Sequence, residues 1–209
     1  MIKISTSILS LSPSERVLSV QKLNNTNTDY IHIDVMDNIF VPNYQLPLEE
    51  VNNLGKNSNK PFDIHLMVED PEPFIKGLTF DNIDTITIHV EIKKDIDKLI
   101  DLIKSYGYHV GLAINPKTDV SLLERYLTKV DKILVMSVEP GFGKQPFIET
   151  TPNKIIDIIV LNQDVLIEVD GGVNNNTISL IDGLSDIVVV GSYITSKEDY
   201  QEAINNIKN

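Results

Sequence analysis

Eight short runs rich in β-branched residues recur along the 209-residue chain, with helical patterns between them. That alternation restricts the fold to a parallel sheet with crossover connections. The spacing predicts strands near 2–9, 29–35, 62–68, 84–90, 108–114, 131–137, 165–170 and 186–191. The clearest helical stripe is Ile96, Leu99, Ile100 and Ile103, which follows Lys93, Lys94 and Asp95. Its spacing marks a core-facing helix. Gly107 is placed to cap it, because glycine enters the left-handed conformation without a Cβ penalty. Eight such units can close as a (β/α)8 TIM barrel in a single α/β domain spanning residues 1–209; an open doubly wound sheet is the competing arrangement. The chain is short for a barrel, so the loops must be short.

Bulk composition removes several classes of function. A net charge of −12 argues against a broad basic surface for nucleic acid or anionic membrane. The absence of cysteine excludes disulfides and thiolate chemistry and fits a reducing compartment. MIKISTSILS at the N-terminus reads as a strand, not as a basic region leading into a long apolar core, so secretion is not expected. No run approaches the roughly 18 apolar residues of a membrane span. The expectation is a cytoplasmic homo-oligomer acting on a small molecule.

After the initiator, the chain has three methionines, Met36, Met67 and Met136, each at the end of an apolar run. Two of those runs, IHIDVMD (31–37) and FDIHLMV (62–68), also carry His and Asp at alternating positions. Side chains alternate faces along a strand. His32, Asp34 and Met36 therefore share one face, as do His65 and Met67, while Ile31, Ile33 and Val35 share the other. An apolar outer face and a polar inner face suit a closed sheet around a small polar chamber. Scarce soft side chains and metal-type ligands are thus gathered at the same places, as at an active site.

In a barrel the chemistry gathers at the C-terminal strand ends, where His32, Asp34, Met36, His65, Met67, Met136 and Asp170 all fall. Glycines cluster at the last three strand ends, in PGFGK (140–144), DGG (170–172) and GS (191–192). Successive backbone N–H groups there form a concavity for an anion. A chain this acidic repels a sugar phosphate at long range, so a local array of donors is needed to hold one.

STSIL (5–9), HIDVMDNIFVPN (32–43), HLMVEDP (65–71), INP (114–116), MSVEPGFGKQPF (136–147), EVDGGV (168–173) and VGS (190–192) together resemble the ribulose-phosphate 3-epimerase family, in that family's order and over nearly the whole chain. The resemblance implies metal-dependent epimerisation of D-ribulose 5-phosphate to D-xylulose 5-phosphate. It implies His32, Asp34, His65 and Asp170 as ligands of one divalent ion, a sulfur-free nitrogen and oxygen donor set suited to Zn²⁺, Fe²⁺, Mn²⁺ or Co²⁺, with Asp34 and Asp170 as the acid/base pair and Ser7 as a substrate contact. Gly141, Phe142, Gly143, Gly171, Gly172, Gly191 and Ser192 match its phosphate-side segments, with Lys144 beside them. His65 and the three methionines complete the expected substrate chamber.

The chain departs from the family pattern at three places. Asn38 stands where glycine is common, Lys144 replaces the second glycine of GFGG, and NYQLPLEE (43–50) lacks the usual Phe-Gly. The last leaves substrate length open, because the allulose-6-phosphate 3-epimerases share most of these motifs. A non-catalytic sugar-phosphate-binding barrel is a competing class, although it would be expected to have lost a ligand or carboxylate. A metal-free decarboxylase or aldolase needs a lysine at an inward strand end, and none is expected. His89 and Glu91 are placed to border the site or to serve structure, His109 to lie on the surface and Asp37 to bond within its loop. Glu168 needs a buried partner that the sequence does not identify.

Overall fold

The eight predicted runs form eight strands in a computed structural model that describes residues 2–208. They are β1 (Lys3–Ser7), β2 (Tyr30–Asp37), β3 (Phe62–Met67), β4 (Ile83–His89), β5 (His109–Ile114), β6 (Lys132–Met136), β7 (Leu166–Asp170) and β8 (Ile187–Val190). Each lies within two residues of its expected limits. Neighbours pair in parallel, and β1 pairs with both β2 and β8, so the sheet closes on itself. This is the (β/α)8 barrel and not the open sheet.

The crossovers carry α1 (Pro13–Leu23), α2 (Leu48–Lys56), α3 (Glu72–Gly77), α4 (Ile96–Ser105) and α5 (Thr151–Leu161), with α6 (Ser192–Thr195) and α7 (Tyr200–Lys208) after β8. Two crossovers hold only a 3₁₀ turn, Val120–Leu123 and Ile178–Leu180, which is how so short a chain closes the barrel. In α4 the Asp95 carboxylate accepts the Lys98 N–H at 3.3 Å, Ile96, Leu99, Ile100 and Ile103 are buried, and Gly107 follows at φ +82°. The sequence pattern missed the two 3₁₀ turns and also the two-residue strand Tyr44–Gln45, which pairs antiparallel with Met36 and Asp37.

Strand phase separates two environments. Ile31, Ile33, Val35, Ile64, Leu66, Ile86, Ile88, Val110 and Leu112 are buried in the apolar core shared with the helices. Each such side chain contributes about 1.5–3 kcal/mol by leaving water. The opposite phase fills the barrel with buried polar groups: Ser5, Ser7, His32, Asp34, Asp63, His65, Thr85, Thr87, His89, Lys132 and Glu168.

Lys132 corrects the expectation that no lysine points inward. It opens β6 in the same phase as Leu134 and Met136, at the end of the barrel remote from Met136. Its ammonium pairs with Asp63 Oδ1 at 2.5 Å and with the Glu168 carboxylate, which supplies the partner Glu168 lacked. Burial opposes charge on Lys132, but the two carboxylates outweigh it and raise its pKa. Lys132 thus lies at the opposite end of its strand from the cavity, not where an aldolase-type lysine would stand.

Candidate metal centre and active site

Register brings the ligand-type side chains to one level. Asp34 lies directly beside His65 across β2 and β3, Met36 beside Met67, and Met136 beside Asp170 across β6 and β7. Asp34 Oδ1 is 3.3 Å from both His32 Nε2 and His65 Nδ1, while Asp170 Oδ2 is 3.8 Å from the first and 3.6 Å from the second. All four ligand atoms lie within 4.8 Å of one another.

The far side of each histidine is also held. His32 Nδ1 meets Asp63 Oδ2 at 2.8 Å, and Asp63 is itself tied to Ser5 and Lys132. With a proton on Nδ1, His32 directs a bare Nε2 into the cluster, where it is buried without a hydrogen-bond partner. His65 Nε2 meets His89 Nε2 at 2.8 Å, and His89 Nδ1 meets Glu91 Oε2 at 3.1 Å. Burial pushes His89 down to about 4, against the pull of Glu91. Once both histidines are neutral, nitrogen and oxygen acceptors converge with a shortage of donors between them. A tetrahedral ion with bonds of about 2.0–2.2 Å would space its ligands about 3.3–3.6 Å apart. The residues present fit such an ion.

Above the cluster opens a cavity of ≈ 830 Å³. Ser7, Asp34 and Asp170 lie on its wall with Met36, Met67 and Met136. Ser7 Oγ donates to Asp34 Oδ2 at 2.8 Å, leaving Oδ1 for the cluster. Burial alone would raise the Asp34 pKa, but His32 and His65 outweigh it and hold the carboxyl well below the usual range. His65, also expected to contact substrate, is fully buried and not on this wall.

The expected anion-side residues, Gly141, Phe142, Gly143, Lys144, Gly171, Gly172, Gly191 and Ser192, all line the same cavity. Gly171 and Gly172 have φ of +121° and +65°, and a Cβ would lie 2.4 Å from Val138 at the first and 2.6 Å from the Phe147 nitrogen at the second. Both conformation and space therefore require glycine there. Lys144 sits at φ +60°, as does Asn38, so Lys144 carries the left-handed conformation expected of the glycine it replaces. Asn43 Nδ2 donates to the Gly141 carbonyl at 2.8 Å and ties the loop after β2 to the loop after β6.

The remaining polar residues separate clearly. Asp37 accepts the N–H groups of Ile39 and Phe40 in its own loop and that of Glu69 in the loop after β3, which ties the two loops together. The side chain of His109 is exposed. His89 and Glu91 border the cluster through His65, away from the cavity wall. Their signal in the sequence was the His-x-Glu alternation at the end of β4, but contact with His65 required the register of β3 on β4.

The closed barrel, with a possible His/Asp metal site beside a glycine-lined cavity at the C-terminal ends of its strands, places the chain among the TIM-barrel enzymes. The profile of the Ribulose-phosphate 3 epimerase family matches residues 3–195, and the chain belongs to that family. It is 35% identical over 214 residues to ribulose-phosphate 3-epimerase of Bacillus subtilis (strain 168), covering 100% of this chain and 99% of the relative. The Methanocaldococcus jannaschii ribulose-phosphate 3-epimerase is 37% identical over 213 residues, covering 100% and 90% of the two chains. Among solved structures, 3-hexulose-6-phosphate synthase from Salmonella typhimurium superposes with a TM-score of 0.74 at 18% identity over 99% of this chain and 96% of that one, which supports the fold. Among the described residues no helix is long and apolar enough to cross a membrane.

Proposed function

We propose that this protein interconverts D-ribulose 5-phosphate and D-xylulose 5-phosphate at C3, using one divalent ion and two carboxylates. The observation carrying this reading is the convergence of His32 Nε2, Asp34 Oδ1, His65 Nδ1 and Asp170 Oδ2 beneath a cavity lined by Gly141, Gly143, Gly171, Gly172 and Gly191. Held by those four residues, a divalent ion would supply positive charge where negative charge grows on the ketone and neighbouring hydroxyl oxygens. Asp34 and Asp170 come from β2 and β7 and both reach the cavity wall. One takes the C3 proton from its face of the sugar, and the other returns a proton to the opposite face of the planar enediolate. The methionines give that flat intermediate an uncharged, polarisable surround.

The test is an assay of metal-loaded protein with ribulose 5-phosphate and allulose 6-phosphate in parallel. The expected result is a higher kcat/KM for the pentulose. A preference for the hexulose moves the assignment to the allulose-6-phosphate 3-epimerases, and turnover of neither supports a binding barrel.

Metal uptake is expected to depend on pH. Burial opposes charge on both histidines, but Asp34 and Asp63 outweigh it at His32, and Asp170 and Asp34 do so at His65. Both therefore keep protons to higher pH than an ordinary histidine, and an incoming ion has to displace them. Apparent affinity should climb with pH by about tenfold per unit for each proton displaced, then level off above the raised pKa values. A chelator-competition titration that is flat from mildly acidic to mildly alkaline pH rules this out.

Lys144 is expected to assist the phosphate. Lys144→Ala should raise KM, most steeply at low ionic strength, where a single exposed charge is least screened. An unchanged KM removes Lys144 from the substrate site. Lys144→Gly relieves a left-handed conformation that costs about 1–2 kcal/mol, offset by the greater freedom of glycine in the unfolded chain. A gain of up to about 1 kcal/mol in urea unfolding is the expected balance.

A further inference from the structure

We propose that His89 and Glu91 form a positioning relay that fixes which nitrogen of His65 faces the ligand cluster. The proposal rests on the metal-binding reading above and concerns two residues that reach neither the cluster nor the cavity wall.

The relay starts at Glu91. Its Oε1 accepts the Asn115 N–H at 2.7 Å, and its Oε2 lies 3.1 Å from His89 Nδ1. A carboxylate accepting on both oxygens makes His89 Nδ1 the donor. His89 is completely buried, with the Phe40 ring packed against it at 4.6 Å between centroids, so its ring is held in that orientation.

His89 Nε2 then has only a lone pair to offer. It lies 2.8 Å from His65 Nε2, and the two rings stack at 4.9 Å between centroids. Two nitrogens this close share one proton, and with His65 Nδ1 turned to the ligand cluster the proton of that ring sits on Nε2 and His89 Nε2 accepts it. His65 Nδ1 is left bare once the cluster holds a cation, facing Asp34 Oδ1 at 3.3 Å and Asp170 Oδ2 at 3.6 Å.

His32 receives the same support directly from the Asp63 carboxylate. At His65 a neutral imidazole intervenes, which keeps the Glu91 charge one ring further from a cluster that already holds two carboxylates. Groups that orient a metal-bound histidine commonly contribute 10–100-fold in metal affinity.

The experiment measures Zn²⁺ affinity by chelator competition and the histidine ring nitrogens by ¹H–¹⁵N correlation on Zn²⁺-loaded protein. In the wild type, His65 should ligate through Nδ1 and show a hydrogen-bonded Nε2–H. His89→Leu removes the acceptor and should raise the Kd for Zn²⁺ by about 10–100-fold, with loss of the shifted Nε2–H signal and no change in the signals of His32. His89→Gln should restore most of the affinity, because its amide oxygen can accept the same proton. Ligation of wild-type His65 through Nε2 overturns the relay without any variant having to fold. So does an unchanged Kd in folded His89→Leu, or an equal loss in His89→Gln, which would point to packing alone. A wild-type protein that takes up no Zn²⁺, Mn²⁺, Fe²⁺ or Co²⁺ overturns the metal reading and the relay together, whereas normal uptake insensitive to His89 overturns only the relay.

Discussion

Asp170→Asn is expected to abolish epimerisation, lowering kcat by at least about 10²–10⁴-fold, the usual contribution of a positioned acid or base. Asp34 still reaches the cavity wall in this variant, so one epimer should continue to exchange its C3 proton with solvent. Asp34→Asn should show the mirror pattern with the other epimer. In D₂O, wild-type product should carry deuterium at C3, because the group that reprotonates is not the group that took the proton. Both residues also belong to the ligand cluster, so metal content has to be measured in each variant before a loss is assigned to proton transfer. Asparagine keeps a carbonyl oxygen for coordination but cannot act as the base, so a metal-replete, inactive variant is the informative case. Transfer of the original C3 proton into product without solvent label would falsify the two-carboxylate scheme.

Lys132→Met is expected to destabilise the fold by about 3–5 kcal/mol, the usual cost of removing one partner from a buried ion pair. Lys132 is the ammonium between Asp63 and Glu168, all three are buried, and Asp63 in turn holds His32. Burial and Asp63 push Glu168 up to about 8, so the charge left stranded is that of Asp63, and adding Asp63→Asn should recover part of the loss. Urea unfolding of the single and double variants measures both effects. A loss below about 1 kcal/mol, the range of an exposed pair, would show that water reaches the triad and screens it.

Most of the fold was legible because inward and outward residues differ so sharply in kind. The alternation in IHIDVMD separates Ile31, Ile33 and Val35 from His32, Asp34 and Met36 without any knowledge of neighbouring strands. The same rule applied to KILVM aligns Lys132 with Met136 and would have provided the missing partner of Glu168. That inference was available and was obscured by the position of Lys132 at the edge of the run. The contact between His65 and His89 was not available. It depends on the register of β3 and β4, which shifts between Phe62 and Asp63. The two 3₁₀ crossovers and the strand at Tyr44 were hidden for a different reason, since elements this short leave no periodicity to detect.

Because the apolar shell lies outside the strands and the chemistry inside, the barrel is fault-intolerant in one direction and forgiving in another. One residue inserted within β2 before His32 would rotate the following side chains by half a repeat, exchanging His32, Asp34 and Met36 with Ile31, Ile33 and Val35. Binding and folding would fail together, with charges thrust among the helices and aliphatics into the chamber. The same residue inserted beside Val120–Leu123 or Ile178–Leu180 would leave strand phase untouched and lengthen a connection at little entropic cost. Changes in length are therefore expected to be tolerated best in those crossovers, and changes in chemistry to come from substitution at alternate strand positions.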